Sequence, residues 1–142
     1  MTGASAARGI LDTSTVILLE RIADIATLPD EPIITAITLA ELSVGPLVAA
    51  DDAERAVRQL RLQHAESDLP VLPFDVAAAR AFGGVAASLR RSGRKLHARA
   101  YDAMIAAIAI ATDLPLFTVN PRDFSDIDRL DLRDVPHPLA GR

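Results

Sequence analysis

The chain has 142 residues, 50% hydrophobic and 24% charged, which suits a single domain with its own core. Cysteine is absent, which excludes a disulfide scaffold, a thiolate zinc site, an iron–sulfur cluster and a cysteine nucleophile. A net charge of −4, from 15 basic and 19 acidic residues, and an aromatic content of 4% argue against a general nucleic-acid binder with base-stacking platforms.

The opening stretch MTGASAARG has no apolar h-region, so no signal peptide is expected. Gly9-Ile10-Leu11 reads as a buried strand ending at Asp12. Thr13 and Ser14 offer N-cap chemistry for a helix over Thr15–Ile25. Pro29 and Pro32 mark a loop, and Ile33–Ile37 forms a second, β-branched strand. A helix is predicted over Thr38–Ala50, with a kink or break at Gly45-Pro46. Asp51-Asp52 open another helix running to about Glu66, and Leu69–Phe74 is a short third strand with prolines at its margins. Asp75–Ser92 is helical, with Gly93 as its stop.

A basic loop follows, and then a strongly apolar helix over Ala100–Thr112. Its apolar run Ala103–Ala111 is far short of the roughly 18 residues a membrane span needs, so a cytoplasmic protein is expected. Leu116–Val119 is the fourth strand, Asn120–Ser125 a turn, and Leu130–Val135 a last edge strand. The whole chain, 1–142, reads as one domain with 136–142 as a Pro-containing tail. Strands alternating with helices predict a three-layer α/β/α sandwich around a mainly parallel sheet.

In such folds the ligand site lies beyond the C-terminal ends of the strands. Asp12 follows the first strand, Glu41 lies about one turn past the second, and Asn120 and Asp123 follow the fourth. Asp102 opens the apolar helix. Four carboxylates on one rim need a counter-charge, and oxygen donors without cysteine suit Mg²⁺ or Mn²⁺. Each residue also has a plainer use. Asp12 can cap a helix, Thr38-x-x-Glu41 matches a capping box, Asp102 complements a helix dipole, and Asn120 and Asp123 are turn formers.

Leu11-Asp12-Thr13-Ser14, Thr38-Leu39-Ala40-Glu41-Leu42, Tyr101–Ala107 and Thr118–Phe124 resemble, in order, the acidic motifs of PIN-domain ribonucleases, above all the VapC-type toxins of toxin–antitoxin pairs. The resemblance covers nearly the whole chain. It implies Asp12, Glu41 and Asp102 as metal-binding acids, with the fourth position at Asn120 or Asp123. Asn120 stands where the family often has Asp, which leaves one or two metals open. Thr13, Ser14 and Thr118 would support the site. The implied activity is metal-dependent endoribonucleolysis by water, leaving 5′-phosphate and 3′-hydroxyl ends. The implied partners are a VapB-like antitoxin, an RNA substrate and a second copy of the chain.

Arg90, Arg91, Arg94, Lys95 and Arg99 form a run without an acid, leading into Asp102. It reads either as a solvated loop or as an RNA-gripping arm, with Arg99 the foremost contact. The acid-rich stretch 123–134 reads as solvated surface. Apolar positions on the helices at 16–25 and 39–49 are candidates for an antitoxin groove. A phosphorelay receiver is disfavoured, because it needs paired acids after the first strand and a lysine after the last, and the only lysine is Lys95. The remaining alternative is a non-catalytic PIN-like interaction module with a site weakened at Asn120.

Overall fold

A computed structural model describes residues 7–139. Met1–Ala6 and 140–142 lie outside it, and with them most of the leader stretch and the end of the tail. Five strands form one parallel sheet in the order β3-β2-β1-β4-β5: β1 (Arg8–Leu11), β2 (Glu31–Thr35), β3 (Val71–Leu72), β4 (Leu116–Thr118) and β5 (Leu132–Asp134). The helices are α1 (Thr13–Leu18), α2 (Ala36–Val44), α3 (Asp52–Asp68), α4 (Val76–Arg91) and α5 (Ala100–Thr112). No helix among the described residues is long and apolar enough to cross a membrane.

The period of two along the strands builds the layers. Ile10, Ile33 and Leu116 point to one face, where α4 and α5 cover them. Leu11, Ile34 and Phe117 point to the other, packed against Val16 of α1, Leu42 of α2 and Ala65 of α3. Ile10, Leu11, Ile34 and Leu116 are fully buried, and each such side chain contributes about 1.5–3 kcal/mol relative to exposure. This is the expected three-layer sandwich. Close packing at its centre explains Gly9. A Cβ there would sit 2.4 Å from the buried Phe117 ring and 3.1 Å from Pro29.

Several boundaries differ from the sequence reading. The first helix begins at Thr13, because Asp12 itself is the N-cap, and it ends at Leu18. Leu19–Arg21 then tightens into a 3₁₀ turn, and Ile22 leaves extended to bury its side chain. The second strand ends at Thr35, not Ile37, since the Thr35 side chain caps α2 by accepting the Thr38 N–H. The helix predicted to reach Ala50 stops at Val44, and Gly45–Val48 continue as a 3₁₀ turn around Pro46. The third strand shrinks from six residues to Val71–Leu72, because Pro70 and Pro73 have no N–H to give a ladder. The fourth ends one residue early: the Val119 N–H bonds the Thr15 hydroxyl, outside the ladder.

The α4 stop is as read. Gly93 has φ +82, Gly93 N–H bonds the Arg90 carbonyl at 3.1 Å, and Arg94 N–H bonds the Leu89 carbonyl at 3.0 Å, which together make a Schellman motif. The chain leaves β1 toward β2 and β3, then returns to place β4 on β1's other side. The sheet's topological switch point therefore lies between β1 and β4, with Asp12 and Thr118 at its C-terminal rim.

Candidate active site

Asp12, the N-cap of α1, is buried, 3% exposed. Its carboxylate accepts the Thr15 N–H at 3.2 Å, the Thr15 hydroxyl, the Ser14 hydroxyl at 2.9 Å and the Thr118 hydroxyl at 3.0 Å. The helix-capping role is real, and the same bonds lock the side chain in one orientation. Every donor is neutral. Burial therefore dominates and raises the Asp12 pKa, against the lowering effect of its hydrogen bonds.

The bonds continue from β4. Asn120 Nδ2 donates to Ser14 Oγ at 3.0 Å, and Ser14 donates on to Asp12. Asn120 N–H bonds the Thr118 hydroxyl at 2.9 Å. An aspartate at 120 has no N–H to give and would compete with Asp12 for the Ser14 proton. Asparagine thus sets the direction of this chain toward Asp12.

The capping box at Thr38 does not form, because α2 starts earlier, at Ala36, with Thr35 as its N-cap. Glu41 is released for another partner. It accepts the Thr13 hydroxyl at 2.7 Å, and Thr13 Oγ1 lies 2.9 Å from Thr38 Oγ1. Thr13 has one proton and spends it on Glu41, so Thr38 is the donor in the second bond. Burial foremost, then the charge of Asp12, raises the Glu41 pKa.

Asp102, in the first turn of α5, is pushed from 3.8 up to about 7. Desolvation is the main cause, followed by the negative charges of Asp123, Asp12 and Glu41, with Arg99 opposing. The four acids therefore share one electrostatic field. Arg99 Nη1 is 2.6 Å from Asp123 Oδ1 and 3.8 Å from Asp102 Oδ2. A cleft of about 410 Å³ opens here, lined by Glu41, His97, Arg99, Tyr101 and Asp102.

The basic loop is not a free arm. Arg91 Nη2 meets Asp128 at 2.5 Å, and Arg94 Nε meets Asp126 at 2.7 Å, with Arg94 Nη1 buried. The stretch 123–134, read as solvated surface, instead supplies counter-ions to Arg91, Arg94 and Arg99. Lys95 is exposed.

Residues 10–130 match the PIN domain family profile. The chain belongs to the PIN-domain family. This PIN domain is 41% identical over 124 residues to ribonuclease VapC5 of Mycobacterium tuberculosis, covering 86% of this chain and 89% of that one. It is 30% identical to ribonuclease VapC of Rickettsia bellii, covering 89% and 96%. Among solved structures it superposes on VapBC-5 from Mycobacterium tuberculosis with a TM-score of 0.76 and 38% identity, over 91% of this chain and 98% of that chain. It superposes on the DNA-bound VapBC from Salmonella typhimurium with a TM-score of 0.70 and 29% identity, over 89% and 97%.

Within this PIN domain, Asp12, Ser14, Thr15, Thr118 and Asn120 form one hydrogen-bonded cluster, and Thr13, Thr38 and Glu41 form a second one. Asp102 and Asp123 join through Arg99. Sequence reasoning missed Thr15, Thr38 and Tyr101. Thr15 lies three residues past a cap aspartate, a spacing at which a hydroxyl can meet the capped carboxylate, and that was the available signal. Thr38 and Tyr101 stood inside the quoted motifs, but their places beside Thr13 and at the cleft edge are set by tertiary packing.

Among the described residues no three acidic or histidine side chains close into a ready-made metal cage. The donor chemistry nevertheless fits a hard cation. The donors are oxygen-only, and Asp102 is destabilised by three neighbouring carboxylates against a single arginine.

Proposed function

We propose that this protein is a divalent-metal-dependent endoribonuclease and the toxin of a toxin–antitoxin pair. The observation that carries the reading is the convergence of Asp12, Glu41, Asp102 and Asp123 on the β1–β4 switch point of a PIN domain 41% identical to a ribonuclease VapC. Asp12, Glu41 and Asp102 would hold Mg²⁺ or Mn²⁺, and several waters would complete the shell, as suits an ion that dehydrates reluctantly. Such an ion, when bound, offsets charge on the scissile phosphate and makes water a better nucleophile.

The chain's own residues do the rest. The hydroxyls of Thr15, Ser14 and Thr118 hold Asp12 in place, and Thr13 holds Glu41. Asp102, which lines the cleft, and Asp123, held beside it by Arg99, are the candidate carboxylates to take a proton from attacking water. Arg99 holds Asp123 and faces the cleft where a phosphate would lie. Attack by water requires no protein nucleophile and leaves 5′-phosphate and 3′-hydroxyl ends. Lys95, exposed, and Arg99, which lines the cleft while paired with Asp123, are the candidate RNA contacts of the loop, whereas Arg91 and Arg94 are engaged by carboxylates away from that cleft.

A cleft of about 180 Å³ between α1 and α3, lined by Val16, Ile17, Leu19, His64 and Leu69, adjoins a second one reaching Glu41 through Ile17 and Arg61. This continuous groove is where a VapB-like antitoxin segment would lie, with α3 contributing a wall alongside α1 and α2. A homodimer and a larger toxin–antitoxin assembly belong to the same reading.

The test is incubation of purified protein with total RNA in EDTA, Mg²⁺ and Mn²⁺, with end mapping. Cleavage only with metal, abolished in folded Asp12→Asn and Asp102→Asn, supports the reading. Cyclic 2′,3′-phosphate ends would refute the water mechanism. Metal-independent silence on all RNA would favour the non-catalytic module.

A further inference from the structure

A second charged cleft, of about 210 Å³, lies between α4 and the Asp128–Arg129 turn. Arg80, Gly84, Ser88 and Arg91 of α4 line one side, with Asp128 and Arg129 on the other. We propose that this cleft binds phosphate groups of the RNA strand away from the bond that is cut. The proposal rests on the ribonuclease reading above.

Charge is the first argument. Three guanidiniums meet one carboxylate, and that carboxylate, Asp128, is already paired with Arg91. Arg80 and Arg129 have no ion pair among the described residues. An excess of two positive charges is thus gathered in one concavity of a chain whose net charge is −4. Concave like-charged sites focus their field on an incoming polyanion.

The backbone is the second argument. Gly83 and Gly84 sit inside α4, and a Cβ added at either would meet nothing within 4 Å. Each helical glycine costs roughly 1 kcal/mol relative to alanine, and no packing within the chain accounts for it. Gly84 lines the cleft, and its bare backbone lets a bulky group approach α4 closely. Across from it, Arg129 adopts φ +69, a left-handed conformation unfavourable for arginine. It is held there because Asp128 N–H bonds Ser88 Oγ at 3.2 Å and Leu130 packs into the α4–α5 core.

Continuity with the active site is the third argument. Arg99–Asp123, Arg94–Asp126 and Arg91–Asp128 form a ladder of ion pairs leading from Asp102 to the cleft. The ladder neutralises its own cations, and Arg129 and Arg80 at its far end add positive charge that has no ion pair among the described residues. About 12 Å of α5 separates Asp102 from Ile110, which borders the cleft. A strand cut at Asp102 would reach it only with flanking nucleotides. The lining carries no aromatic side chain of the kind that anchors a peptide.

The test compares wild type, Arg80→Gln/Arg129→Gln and Arg80→Lys/Arg129→Lys by fluorescence anisotropy in EDTA. The probes are a single-stranded RNA of about 30 nucleotides and a dinucleotide, which is too short to span the roughly 12 Å from Asp102 to the cleft. Losing two phosphate contacts should weaken binding of the long RNA roughly five- to tenfold and flatten its log–log salt slope by about 1.4. Binding of the short RNA and the Tm should be unchanged, and the Lys variant should recover most of the loss. Unchanged affinity and slope for the long RNA would overturn the proposal. So would equal losses for both lengths, or an effect confined to a poly-glutamate peptide. A wild type that cuts no RNA with Mn²⁺ sinks the parent reading and the cleft with it. Unchanged binding in the variant of a wild type that does cut sinks the cleft alone.

Discussion

Asp102→Asn should stabilise the metal-free protein while destroying its activity. Asp102 is held at about 7 instead of 3.8, so ionising it in the fold at pH 8 costs on the order of 4 kcal/mol. Its side chain is 29% exposed, and solvent screening brings the expected net gain to about 2–3 kcal/mol. Losing the 3.8 Å contact with Arg99 subtracts little, since Arg99 keeps Asp123 at 2.6 Å. The sign follows from proton binding. Between pH 4 and 7 the folded state holds more protons than the unfolded state, so wild-type stability falls as pH rises through that window. The penalty is complete above pH 7 and absent below pH 4. Asparagine carries none of it.

At roughly 3–5 °C per kcal/mol for a chain of this size, the variant's Tm in EDTA at pH 8 should exceed that of wild type by about 6–15 °C. The gain should shrink steadily toward pH 4. Thermal unfolding followed by circular dichroism at several pH values measures it. Excess Mn²⁺ should raise the wild-type Tm more than the variant's. A variant less stable than wild type at pH 8, or a gain independent of pH, would refute the argument that uncompensated carboxylates surround Asp102.

Other substitutions test other links. Asp12→Ala removes an N-cap and strands the buried Thr15 and Thr118 hydroxyls, so urea unfolding should show a loss of about 2–4 kcal/mol, and Asp12→Asn a smaller one. Asn120→Asp adds a carboxylate and takes away the donor to Ser14; its Tm in EDTA should fall, and its Tm increment on adding Mn²⁺ should exceed the wild-type increment. Gly9→Ala drives a methyl into the Phe117 ring and should lower stability by about 1–3 kcal/mol in urea. Gly83→Ala meets only open space in α4 and should raise stability by up to about 1 kcal/mol in the same assay.

Much of the site was legible because it follows strand ends. Asp12 after β1 and Asn120 after β4 lie where a parallel sheet must place its rim. Glu41 was singled out too, but beside a capping-box reading that the start of α2 at Ala36, capped by Thr35, removes. The basic loop shows the converse. Its sequence holds no acid, and its counter-ions Asp123, Asp126 and Asp128 come from a segment some thirty residues away.

The sequence by itself determined the architecture and the chemistry available. Alternating strand and helix patterns select a parallel three-layer sandwich, and the absence of cysteine with acids at strand ends selects oxygen donors. Those are properties of local period and residue type, which the chain carries wherever it folds. Tertiary structure decided what each charge does. It buries Asp12 among neutral hydroxyls, crowds three carboxylates around Asp102, ties three arginines to distant aspartates and gives Arg80 and Arg129 no ion pair among the described residues. Charge energies depend on distance and desolvation, and both are set only when segments far apart in sequence are packed together.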